Sequence, residues 1–85
     1  KDVIPRVNIH VAGLIEERTN LKGVGILDES WNKIHESDKA IYKKGNEYYI
    51  VSFKHPQQDK TLYFLIALSG DLYDVNFSGE FNTKR

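Results

Sequence analysis

The 85-residue sequence predicts an α+β fold, with an N-terminal helix packed on one face of a three- to four-stranded antiparallel meander. Three observations carry this reading. Apolar residues recur at helical spacing near the N-terminus, at Val7, Val11, Leu14 and Ile15. From Lys39 onward they alternate with polar residues or run on for a strand's length. The breaks between those runs are short and rich in turn residues, which suits antiparallel neighbours.

The helix is expected from about Pro5 to Thr19. Proline is tolerated in a first helical turn, and Lys22-Gly23 offers a stop. Val7, Ile9 and Val11 also alternate as in a strand, so over residues 3–11 the two readings stay open, and length favours the helix. Gly23 and Gly25 mark a loop. Asp28, Glu29 and Ser30 are capping or turn residues ahead of a short helical turn over Asp28 to Lys33. Trp31 reads as a lid on the edge of a small core, with ligand stacking as the alternative.

A polar edge strand follows around Lys39 to Lys43, its lysines suited to an unpaired edge. Gly45-Asn46 is a hairpin turn, "EYYIVSFKH" a strand, and Pro56 ends it. "TLYFLIALS" is apolar on both sides and therefore central. Ser69-Gly70-Asp71 turns the chain into a last strand, "LYDVNF", and the tail is expected to fray from about residue 82. The whole chain, 1–85, reads as one small domain.

One face of this sheet would hold Tyr49, Val51, Phe53, Phe64, Ile66, Leu68, Tyr73, Val75 and Phe77. It would pack on the helix stripe. The other face would carry Tyr48, Ile50, Ser52, Tyr63, Leu65, Ala67, Leu72, Asp74 and Asn76. A single helix leaves that second face without a layer. It is either an interface or is covered by the Asn20 to Ile34 loop with Trp31.

Composition narrows the function classes. Twelve basic and twelve acidic residues cancel, which argues against a nucleic-acid partner. Lys43-Lys44, with Lys39 nearby, reads as a solvated strand. No cysteine is present, so neither disulfides nor a thiolate metal site is expected. The longest apolar run, Leu62 to Leu68, is far short of the roughly 18–20 residues that span a bilayer, so membrane insertion is not expected. The chain contains no methionine, as a trimmed, processed or excised chain would show.

Candidate chemistry is sparse. His10, His35 and His55 form no i, i+3 or i, i+4 pair. His35, Glu36 and Asp38 are the best metal candidates, although their spacing matches no recognised ligand pattern. Ser52 and Ser69 lack a nucleophile frame, and the Gly23-x-Gly25 pair lacks a third glycine. Neither a catalytic residue nor a cofactor is expected.

Three segments, "GILDESW", "NEYYIVSF" and "TLYFLIALSGDLYDVNFSG", together resemble an uncharacterised family of small exported proteins of Gram-negative bacteria. The matching positions are Gly25, Leu27, Asp28, Ser30 and Trp31, then Tyr49, Val51 and Phe53. They continue with Leu62, Tyr63, Phe64 and Gly70, and close with Asn76, Phe77, Ser78 and Gly79. The resemblance covers about the last two thirds of the chain, and its architecture is similar to PepSY-type domains. It implies export and a non-catalytic, binding or inhibitory role.

The expected function is therefore that of a periplasmic or secreted binding or inhibitory module. Its partner would be a protein, a peptide or a second copy of the chain. The candidate contact residues are Trp31, Tyr48, Ile50, Tyr63, Leu65, Asp74 and Asn76. Two alternatives stand beside it: a metal-handling or metal-sensing accessory protein using His35, Glu36 and Asp38, and a structural domain excised from a longer chain.

Overall fold

A computed structural model describes residues 3–82. Helix α1 (Val3–Glu16) is followed by two 3-10 turns, Glu29–Lys33 and Glu36–Asp38. Then come strands β1 (Lys39–Lys44), β2 (Tyr48–His55), β3 (Lys60–Ala67) and β4 (Leu72–Asn76). The strands form one antiparallel sheet in the order β1-β2-β3-β4. The expected α+β meander, with β3 central beside β2, is what the chain adopts.

The N-terminal segment is a helix, which resolves the ambiguity over its β-branched residues. Val3, Val7 and Val11 form its buried stripe. The helix ends at Glu16, earlier than the expected Thr19. The Thr19 amide donates to the Leu14 carbonyl at 3.1 Å and the Arg18 amide to Ile15 at 3.1 Å. Arg18 takes φ 51°. This pair of bonds is a Schellman stop, with arginine in the left-handed position that glycine usually fills. Two further clips hold the helix to the sheet. His10 donates through Nε2 to the Gly70 carbonyl at 2.7 Å, and the Arg6 side chain lies against Gly70, whose φ is 101°. Asn8 accepts from the Lys39 ammonium at 2.9 Å.

Lys39 is thus no edge guard. Its side chain is 8% exposed, paired with Glu36 at 3.1 Å, and set 4.9 Å from the Phe53 ring centroid. A long side chain can bury its stem and satisfy its charged end this way.

The core lies between α1, the Asn20–Ile34 loop and one face of the sheet. Val7, Val11, Leu27, Trp31, Ile34, Val51, Phe53, Leu62, Phe64, Ile66 and Val75 are buried there. Phe53 and Phe64 meet edge to face with centroids 5.0 Å apart. Two expected core residues are outside it. Leu68 is 58% exposed because β3 ends at Ala67 and the chain turns. Tyr73 is 65% exposed because a bulge pairs Leu72 with Ile66 and leaves Tyr73 over. Leu72 takes the inward place instead and packs against the core. The Asn20–Ile34 loop covers the helix side of the sheet, not the other. The expected fraying concerns a tail whose last residues lie outside the described ones.

Candidate functional site

Two groups of residues hold the chemistry of this chain. The first is built on "GILDESW". Asp28 caps the 3-10 turn of Glu29–Lys33, accepting the Ser30 amide at 2.9 Å. The Ser30 hydroxyl also donates to Asp28. His55, at the end of β2, is buried with Nε2 2.8 Å from Ser30 Oγ. The Gln58 amide donates to His55 Nδ1 at 3.3 Å, and the Gln58 side-chain amide reaches Asp28 at 3.4 Å.

The order of donors sets what this group can do. Nδ1 accepts a backbone N–H, so in the neutral ring the proton sits on Nε2 and points at Ser30. Ser30 passes its own hydrogen to Asp28. A nucleophilic triad needs the reverse, with an imidazole accepting the serine proton and a carboxylate on the far ring nitrogen. The relay is a latch between the loop and the β2–β3 turn. It also seats Trp31, whose ring meets His55 at 4.9 Å and 76° and Phe77 at 6.5 Å.

The Ser30 hydroxyl bond, foremost, holds the Asp28 carboxyl below its ordinary pKa. The Ser30 amide and the Gln58 side-chain amide add to it, against a desolvation that pushes the other way. A depressed carboxylate stabilises the fold above its unfolded pKa, and that stability fades as pH falls through the folded value. Urea midpoints followed from about pH 6 to about pH 2 are therefore expected to fall more for the wild type than for Asp28→Asn. Equal slopes would mean that Asp28 contributes nothing to acid sensitivity.

The second group is the sheet face opposite the helix. Register places Tyr48 beside Ala67, Ile50 beside Leu65 and Asp74, and Ser52 beside Tyr63 and Asn76. Among the described residues no helix covers this face, yet Ile50, Leu65 and Ala67 are buried. Tyrosine rings and the segment that follows β4 stand on the same face. The Tyr48 ring lies on Gly45, where an added Cβ would come within 2.1 Å of it. Tyr42 meets Tyr63 edge-on at 4.8 Å. Gly79 backs onto Tyr63, with an added Cβ 3.2 Å from the ring.

Asn76 holds that segment in place. It accepts the Gly79 amide at 2.8 Å and donates to the Glu80 carbonyl at 2.9 Å. Gly79 at φ 79° makes the return possible. The "NFSG" motif thus has a physical reading as a strand end that folds back over its own sheet. Between this segment and the β1–β2 turn an open groove remains, lined by Glu47, Tyr48, Leu65, Tyr73, Asp74 and Asn82 among others.

The candidate contact residues therefore separate. Tyr48, Leu65 and Asp74 come together in the groove. Ile50 is buried beside it. Tyr63 is half-buried under Tyr42 and Gly79, and Asn76 is committed to the returning segment. Trp31 lies on the opposite side, in the core, because the loop that carries it packs under α1. Tyr42, Glu47, Tyr73 and Asn82 were not anticipated. The bulge in β4 puts Tyr73 on this face, and a bulge leaves no mark in hydrophobic alternation, whereas Tyr42 points outward by plain alternation with Ile41, which pairs with Val51.

The metal candidates do not gather. Glu36 pairs with Lys39, His35 is exposed, and among the described residues no group of three or more His, Cys, Asp or Glu side chains is placed to hold an ion. Among those residues no helix is long and apolar enough to cross a membrane.

Fold and face together define a small α+β domain whose sheet packs on a helix on one side and bears tyrosines on the other. The chain belongs to the family of unknown function DUF6488, which matches residues 1–80. This agrees with the resemblance of its loop and hairpin motifs to an uncharacterised family. Neither curated proteins nor solved structures return a match.

Proposed function

We propose that this domain is a non-catalytic binding module that receives an extended protein or peptide segment on its tyrosine-bearing sheet face. The observation that carries this reading is the groove. Leu65 forms its floor, the exposed Tyr73 and the half-buried Tyr48 stand in its walls, and among the described residues no helix overlies it. Aromatic side chains with a polar tip supply large contact area at low entropic cost, which suits a recognition surface.

Edge-strand addition is the less favoured route. Both outer strands are bulged, β1 between Ile41 and Lys43 and β4 opposite the Leu65–Ile66 step. Bulges and the exposed Lys43 and Lys44 of β1 discourage a further strand. Export to the periplasm or the exterior, and kinship with PepSY-type inhibitory domains, rest on the resemblance of the loop and hairpin motifs. An antiparallel sheet with one helix-covered face is compatible with both.

Peptides selected from a random display library against the folded domain supply the test. Their amide shift perturbations are expected at Tyr48, Leu65 and Tyr73, and Tyr73→Ala is expected to weaken them about tenfold. Tyr73 is 65% exposed, so its truncation leaves the fold standing. Perturbations confined to α1 or to Lys43 and Lys44 would overturn the reading.

A further inference from the structure

We infer that the groove between Tyr48 and Tyr73 takes a basic side chain, so that the segment received on this face carries lysine or arginine. This rests on the binding-face reading and names the chemistry of its partner.

Among the described residues the charged side chains in the groove lining are Glu47 and Asp74, both acidic. Register puts two basic residues on the same face, Lys43 opposite Ile50 and Lys54 opposite Thr61, and both lie outside the lining. Asp74 spends one carboxylate oxygen on the Val75 amide at 2.8 Å. Among the described residues its other oxygen has no hydrogen-bond partner, and neither acid has a salt-bridge partner. Two carboxylates beside an apolar floor are charge-complementary to a cation.

The aromatic rings point the same way. Among the described residues three lysines sit over rings: Lys39 over Phe53 at 4.9 Å, Lys44 over Tyr49 at 5.9 Å and Lys60 over Phe77 at 5.3 Å. All three rings belong to the helix-side face. Tyr48 and Tyr73 hold no such cation among the described residues. Their faces are the electron-rich surfaces that a desolvating ammonium or guanidinium group prefers. A carboxylate at the rim completes the recognition of a cation that arrives on an extended chain.

The test uses an acetylated, amidated peptide of alternating serine and lysine, the same peptide with every lysine acetylated, and one with glutamate in place of lysine. Binding is followed by amide shifts of the 85-residue chain at physiological salt. The lysine peptide is expected to move Tyr48, Leu65, Tyr73 and Asp74 and to bind about tenfold more tightly than its acetylated form. Tyr73→Ala and Asp74→Asn are each expected to weaken it about fivefold, whereas Glu29→Gln, which removes an equal charge elsewhere, leaves it unchanged. Equal binding of the acetylated peptide, or loss with Glu29→Gln equal to that with Asp74→Asn, would overturn the inference. If library-selected neutral peptides still map to the groove, the binding face stands and only its cation preference fails. If no peptide moves the groove, both readings fail.

Discussion

Trp31→Ala is expected to destabilise the domain by about 3–5 kcal/mol, the usual cost of removing a large aromatic side chain from a core. Trp31 is 4% exposed and joins three parts of the molecule that are distant in sequence. Its ring touches His55 at the end of β2 and Phe77 beyond β4, and its backbone belongs to the 3-10 turn capped by Asp28. Truncation leaves a cavity beneath the loop and removes the lid over His55, whose buried polar atoms then meet water. A domain of this length holds about 4–13 kcal/mol in total. At the lower end of that range the variant sits near its unfolding midpoint at room temperature. Chemical denaturation with near-ultraviolet circular dichroism would read this. A variant that keeps wild-type stability would place Trp31 among surface residues and restore it as a ligand-stacking candidate.

Phe64→Ala is expected to cost a similar amount, about 3–5 kcal/mol, for a different reason. Phe64 has no exposed surface and lies in the centre of β3, paired with Val51 on one side and Val75 on the other. It also meets Phe53 edge to face at 5.0 Å. Neighbours on both strands are held by ladder hydrogen bonds and cannot collapse into the space. The cavity term adds to the lost transfer energy. Phe64→Leu, which retains most of the volume, is expected to lose less than half as much in the same denaturation experiment. Equal losses from the two variants would show that the site demands an aromatic ring and not merely filled space.

Much of the architecture was legible because it depends on local signals. The valines of α1, the turn at Gly45, the proline after His55 and the glycine at 70 each act within a few residues. Alternation in β2 and β3 assigned the two faces correctly, since neither strand is bulged against the other. The two misplaced core residues have separate causes: the β4 bulge turned Tyr73 outward and Leu72 inward, and Leu68 lies past the end of β3, where the chain turns.

The candidate site was half visible for the same reason. Tyr48, Leu65 and Asp74 follow from parity alone, whereas Tyr73 does not. The latch of Asp28, Ser30 and His55 joins residues 25 positions apart through hydrogen bonds. Sequence supplied its members, and the loop motif marked two of them, but no periodicity announces a polar contact over that distance. Lys39 was misread because a lysine on an outer strand ordinarily faces water, and its partner Asn8 lies 31 residues away.

The separation of aromatic types between the two sides of the sheet has a spectroscopic consequence. The chain has one indole and five phenols. The indole, Trp31, lies in the core against His55. Four phenols, those of Tyr42, Tyr48, Tyr63 and Tyr73, lie on the opposite side, with Tyr49 alone on the core side. Light that excites only the indole therefore reports on the integrity of the interior. Phenol emission and absorbance report on what touches the outer face. Occupancy and unfolding are separable by wavelength in one unlabelled sample.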